Sequence, residues 1–198
     1  MKTIAYHTLG CKVNQYDTQA MEELLSAAGF STVSFPGPAD IFLINTCTVT
    51  GSGEKKSFQL ARRLKREFPE SILILCGCLA QLKGQELFSA GADLIVGTQF
   101  RGQIVPLLKK VLTDRKPVCA VESFSDHAYF ELLRVTGHQE HTRAVLKIQE
   151  GCRNNCTYCI IPTVRGPIRS RMPEEIINEA RQLASSGYKE IDARCEPR

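Results

Sequence analysis

No stretch of this sequence approaches the roughly 18 consecutive apolar residues that a membrane-spanning helix needs. Behind Lys2 there is no long apolar segment of the kind an export signal carries. No internal repeat and no low-complexity tract is visible. A membrane protein is therefore not expected, and a secreted disulfide framework is disfavoured. The expected location is the cytoplasm, a reducing compartment. The excess of one charge sign is also small: 25 basic against 21 acidic residues leave a net charge of +4.

What the chain has in quantity is cysteine, nine in 198 residues. In a reducing compartment, clustered cysteines bind metal or do redox chemistry more often than they form disulfides. The positive surplus is local. Lys55, Lys56, Arg62, Arg63, Lys65 and Arg66 stand against only Glu54 and Glu67, and this window accounts for the whole net charge. Such a helix face is either a solvated surface or a place where nucleic-acid phosphates dock.

The apolar pattern alternates strand and helix. Lys2–Thr8, Asp40–Asn45, Ile72–Leu75 and Asp93–Val96 read as strands. Asn14–Ala28 reads as a helix with Ala20, Met21, Leu24, Leu25 and Ala28 on its buried face. A helix from Gly53 to Phe68 buries Phe58, Ala61, Leu64 and Phe68, and Gln103–Leu112 closes the unit. The expected fold class is α/β, with a mostly parallel sheet covered on both faces. Residues 1–112 form this first domain. Residues 113–142 read as a linker. It holds His127, His138 and His141, whose spacing fits no standard metal-ligand set. Residues 143–198 open a second domain with the strand Arg143–Gln149, a loop rich in Cys, Pro and Gly, and a helix that starts at Pro173 and stops at Gly187. With so few residues there, the apolar faces of Ala144–Ile148 and Ile176–Ala184 are expected to have little to pack against.

The strongest local signal is Gly151-Cys152-Arg153-Asn154-Asn155-Cys156-Thr157-Tyr158-Cys159. Three thiols within eight residues, directly after a strand, can wrap one iron–sulfur cubane. Such clusters usually take four cysteines, and no fourth lies in this loop. One iron would keep an open position for a substrate or cofactor. The alternative is a zinc site completed by a distant His or Cys. A second set is spread through the first domain. Cys11, Cys47, and Cys76 with Cys78 each follow a predicted strand, at the sheet edge where α/β folds bind ligands. Predicted helix starts near Cys11 and Cys47 favour thiolates there. Position does not decide between Cys76 and Cys78, and a Cys-x-Cys redox pair is a further reading.

The Cys-x3-Cys-x2-Cys spacing resembles the signature of radical S-adenosylmethionine enzymes. Thr8-Leu9-Gly10-Cys11-Lys12-Val13-Asn14-Gln15-Tyr16-Asp17-Thr18, Asn45-Thr46-Cys47-Thr48-Val49-Thr50 and Gly77-Cys78-Leu79-Ala80-Gln81 narrow the likeness, together with Lys147-Ile148-Gln149-Glu150-Gly151-Cys152 and Arg165-Gly166-Pro167-Ile168-Arg169-Ser170-Arg171. Together they look like the radical-SAM methylthiotransferases over nearly the whole chain, to about Ile191. The Gly-Cys-Lys-Val-Asn-Gln opening resembles the branch that modifies N6-threonylcarbamoyladenosine in tRNA, as opposed to the branches for isopentenyladenosine or a ribosomal-protein aspartate.

The resemblance implies a tRNA-modifying transferase with an N-terminal methylthiotransferase domain and the first part of a radical-SAM (β/α) barrel. It implies two [4Fe-4S] clusters. Cys11, Cys47 and Cys78 would hold the auxiliary one, and Cys152, Cys156 and Cys159 the one that binds S-adenosylmethionine, with Tyr158 near its adenine. A radical made there would attack C2 of the adenine next to the anticodon, and the auxiliary cluster would deliver the methylthio sulfur. Implied partners are the tRNA anticodon loop and an electron donor such as flavodoxin or ferredoxin. Arg165, Arg169 and Arg171 could hold a carboxylate or phosphate, or be structural. Cys119 and Cys195 match no family ligand. After Ile191 the sequence departs from the family pattern, so an inactive, C-terminally truncated fragment is the expectation. A non-catalytic metal- or RNA-binding protein is the reading from another class.

Overall fold

The computed structural model describes residues 1–48, 51–125, 129–136, 143–154 and 156–195, with only the backbone of residues 51 and 52. His127, His138 and His141 lie outside the described residues.

The chain opens with β1 (Thr3–Thr8), α1 (Lys12–Ala27), β2 (Ser31–Val33), β3 (Ile41–Thr46), α2 (Gly51–Glu67) and β4 (Ile72–Gly77). It continues through α3 (Cys78–Lys83), a 3-10 turn over Gly84–Ala90, β5 (Leu94–Val96), a short turn over Arg101–Gln103, α4 (Ile104–Asp114) and β6 (Val118–Ala120). Six parallel strands stand in the order β2-β1-β3-β4-β5-β6. Every residue of β3 and β4 is buried, which suits central strands of a sheet covered on both faces. One face packs Ile4, Leu43 and Ile74 against Met21 and Leu25 of α1 and Leu108 of α4. The other packs Phe42, Ile44 and Leu75 against Ala61 and Leu64 of α2 and Leu79 of α3.

Strand order reverses between β1 and β3. Their carboxyl ends therefore flank a topological switch point, where loops leaving in opposite directions open a crevice. Cys11 follows β1 and Cys47 follows β3 at that point.

The segment 113–142 supplies the end of α4 and the edge strand β6, whose Cys119 pairs in register with Ile95. It also sends Leu133 and Val135 back onto Tyr16 and Ala20 of α1.

The second sheet is smaller. Its elements are β7 (Arg143–Glu150), α5 (Ile161–Arg165), β8 (Arg169–Ser170), α6 (Pro173–Ser185) and β9 (Glu190–Cys195), with strand order β8-β7-β9. β7 and β9 are parallel. Contrary to expectation, the apolar faces here do find partners: Ala144 and Leu146 of β7 pack on Leu183 of α6, with Ile148, Ile176 and Ala180 around them. Ile177 and Ala184, expected on the buried face of α6, are exposed, while Glu179 is buried. The strand predicted from Tyr188 starts at Glu190 and runs on through Cys195, past the point where the family pattern ends.

Candidate cluster sites and the buried charges between them

Cys11 caps the start of α1, Cys47 follows β3, and Cys78 begins α3 directly after β4. Gly10 and Gly77 make the approach possible. A Cβ on Gly10 would sit 2.9 Å from Cys47 Cβ and 3.0 Å from its Sγ, so the backbone before Cys11 lies against Cys47. At Gly77 a Cβ would meet the Thr46 carbonyl at 2.6 Å, and φ is +91°. Only glycine accepts both the crowding and the left-handed backbone.

Asn14 ties these three turns together. Its Nδ2 donates to the carbonyls of Leu9 (2.9 Å) and Thr46 (3.1 Å), beside Cys11 and Cys47. Its Oδ1 lies 3.8 Å from Cys11 Sγ and accepts a short hydrogen bond from Arg165 Nη2. Arg165 Nε in turn donates to Cys78 Sγ at 3.2 Å. Cys76 has a different setting. It is a fully buried member of the core between the sheet and α1, its Sγ is 3.6 Å from the Ile44 carbonyl, and burial pushes its thiol pKa well up. Cys76→Ala should therefore act as a core truncation. We expect a loss of about 1 kcal/mol, read as a denaturation midpoint, with iron content retained. With Cys78 as a cluster ligand, Cys78→Ala should lose the iron bound by the first domain, and the reverse result would make Cys76 the ligand.

The second set hangs between β7 and α5. Cys152 is buried, with its N–H donating to the Gly166 carbonyl at 3.0 Å and its Sγ accepting from the Asn154 N–H at 3.4 Å. Cys156 is exposed and Cys159 half-buried. Tyr158 is 90% exposed. Among the described residues no disulfide joins any of the cysteines.

Among the described residues, no three His, Cys, Asp or Glu side chains are placed to hold a single metal ion. A cubane asks for something different: each cysteine binds a different iron, so the ligand sulfurs stand apart. Two sets of three cysteine sulfurs offer the donor chemistry that such clusters use.

Between the sets lies a buried ionic network. Asp17 on α1 pairs with Arg101, with Lys147 Nζ (2.9 Å) and with Arg165 Nη1 (3.0 Å). Glu150, at the end of β7, pairs with Arg101 (2.9 Å), Lys147 (3.1 Å), Arg165 (2.6 Å) and Arg169 (3.4 Å). Burial alone would raise both carboxyl pKa values, but Arg101, Lys147 and Arg165 outweigh it. Asp17 is held below the usual carboxylate range and Glu150 well below it. Arg101 also meets Glu131 at 2.9 Å, and Arg171 lies 2.7 Å from Glu179, a carboxylate that accepts from the Tyr16 hydroxyl. Arg165, Arg169 and Arg171 do meet carboxylates, but those of the protein itself. Asn14, Asp17 and Glu150 stand in the family-like motifs without a role of their own, and Arg101 lies outside those motifs. The available signal was polar residues at i, i+3 and i+4 of a helix, at Asn14, Asp17 and Thr18.

Two family descriptions match the chain. "Uncharacterized protein family UPF0004" covers residues 3–97, and the Radical SAM superfamily covers residues 146–192. These spans contain the first and second cysteine sets respectively. The threonylcarbamoyladenosine tRNA methylthiotransferase of Bacillus subtilis is 46% identical over 192 residues, 96% of this chain. The chain belongs to the radical-SAM methylthiotransferase family. The Aquifex aeolicus threonylcarbamoyladenosine tRNA methylthiotransferase is 38% identical over 95% of the chain. A tRNA-2-methylthio-N(6)-dimethylallyladenosine synthase of Thermotoga petrophila is 36% identical over 93%. The chain spans 43%, 46% and 41% of the length of these methylthiotransferases. Among its described residues no helix is long and apolar enough to cross a membrane.

Proposed function

We propose that this chain is part of an enzyme that adds a methylthio group to C2 of N6-threonylcarbamoyladenosine beside the anticodon of tRNA. Cys152, Cys156 and Cys159 would hold one [4Fe-4S] cluster, and Cys11, Cys47 and Cys78 the auxiliary one. What most supports the reading is that each matched domain carries a set of three cysteines, and that Arg165, on the helix after the second set, donates a hydrogen bond to Cys78 of the first. The greater identity to threonylcarbamoyladenosine enzymes, with the Gly10-Cys11-Lys12-Val13-Asn14-Gln15 opening, supports the substrate.

When bound, the second-set cluster and S-adenosylmethionine supply the one-electron chemistry that an unactivated aromatic C–H demands. The chain's own residues do the holding. Three thiols within eight residues leave one iron position open, and Tyr158 stands beside it in the sequence, free to cover an adenine. The buried charges fix β7 and α5 against α1, so the two sets keep one spacing. Flavodoxin or ferredoxin is the class of donor we propose for the electron.

Nucleoside mass spectrometry tests the reading. Deleting the gene in its host should abolish the methylthio form of threonylcarbamoyladenosine in tRNA and leave the unthiolated form. Persistence of that nucleoside sinks the substrate claim. Loss of methylthio-isopentenyladenosine, or of a methylthiolated ribosomal protein, would move the chain to another branch. Zinc and no brown colour in anaerobically purified protein would favour the non-catalytic alternative.

For tRNA, α2 is the surface to test. Lys65 is engaged with Asp93 at 2.8 Å, and Arg63 with Glu67 at 2.8 Å. Lys55, Lys56, Arg62 and Arg66 are exposed. Reversing these four should weaken tRNA binding and flatten its salt dependence, by roughly 0.7–0.9 in the log–log slope for each phosphate no longer neutralised. An unchanged slope in filter-binding titrations returns α2 to the role of a solvated face.

A further inference from the structure

Arg165 belongs to the helix that leaves the Cys159 loop, yet it ends on the cysteine set of the other domain. Its side chain is fully buried. Nη1 is held by Asp17 at 3.0 Å and Glu150 at 2.6 Å, and Nη2 by Asn14. A guanidinium is planar, so fixing both terminal nitrogens also fixes the direction of Nε–H. That N–H points at Cys78 Sγ, 3.2 Å away. Hydrogen bonds to the sulfurs, and charge close by, set the reduction potential of an iron–sulfur cluster. A donor and a positive charge both favour the more negative, reduced state. Water is excluded here, so the effect is little screened.

We propose that Arg165 is a positioning residue for the auxiliary cluster: it orients the Cys78 sulfur and raises the reduction potential of the cluster bound there. The segment carrying the second cysteine set thereby tunes the first. This rests on Cys11, Cys47 and Cys78 being the auxiliary ligands.

The test uses the whole 198-residue chain carrying Cys152→Ala, Cys156→Ala and Cys159→Ala, reconstituted anaerobically so that only the auxiliary site reports. Iron is measured first. Without about four irons per chain, the auxiliary assignment fails, and the proposal with it. With that iron present, an EPR-monitored redox titration compares Arg165 with Arg165→Lys, which keeps the charge and loses the fixed N–H. The midpoint should move to a more negative potential at unchanged iron content. Arg101→Lys disturbs the same two carboxylates without touching Cys78, and should leave the midpoint in place. An unmoved midpoint in Arg165→Lys, or an equal shift in Arg101→Lys, overturns the proposal. If Arg165→Lys does not fold, pulsed EPR on the Arg165 protein, labelled with guanidinium-15N arginine and reduced, decides. A 15N coupling to the auxiliary cluster is expected, and its absence overturns the proposal.

Discussion

Replacing Cys152, Cys156 and Cys159 together with alanine is expected to remove about half of the iron from anaerobically reconstituted protein. Two cubanes would bring about eight irons per chain, so about four should remain. The expectation follows from where the two sets are anchored. Cys11, Cys47 and Cys78 sit on turns after β1, β3 and β4, whose register is set by a parallel sheet with fully buried central strands β3 and β4. The other three sit on a loop between β7 and α5. Truncating their thiols leaves untouched the hydrogen bonds that shape the first set, above all those from the Asn14 side-chain amide to the Leu9 and Thr46 carbonyls. Iron and sulfide analysis reads the outcome. Loss of all iron would mean one shared site, and loss of none would remove the Cys152 loop from metal binding.

Asp17→Asn should lower stability by about 3–5 kcal/mol at neutral pH, the usual penalty for breaking a buried ion pair from one side. Arg101, Lys147 and Arg165 would keep their charges but share one carboxylate fewer. The same network fixes a pH dependence. Asp17 and Glu150 have native pKa values below those of an unfolded chain, which are about 3.9 and 4.3. Their contribution is fully present above pH ~4.5 and is lost as pH falls through the depressed native values. Denaturation midpoints at pH 7 and pH 3 should therefore differ more for the wild-type chain than for Asp17→Asn. A mutant as stable as wild type at pH 7, or a penalty that grows on acidification, contradicts the role assigned to the network.

The apolar runs of β1, β3, β4 and β5 were legible because central strands of a parallel sheet are apolar on both faces. That alternation alone placed Cys11, Cys47 and Cys76 or Cys78 at one edge. Edge strands were not legible. β2 and β6 are three residues each, with no fully buried residue and little apolar pattern to detect. The five-residue α5 is too short for periodicity to register. Apolar periodicity also misjudged α1. Leu24, expected inside, is 37% exposed, whereas Asn14, Asp17 and Thr18 are buried. Polar burial is stable only with partners, and the partners of Asp17 lie 84, 130 and 148 positions further on. No local window contains them. The arginines after the cysteine loop were visible as a group, but their carboxylate partners were not.

Those long separations also set an order in time. A chain growing at roughly 5–20 residues per second completes Asp17, Arg101 and the first five parallel strands some seconds before Lys147 and Arg165 exist. During that interval the nascent first sheet carries Asp17 with one of its three cations, and α5 does not yet pack against α3 and Cys78. Cys78 is thus least enclosed on the ribosome. The arrival of residue 165 then adds the hydrogen bond from Arg165 to Cys78.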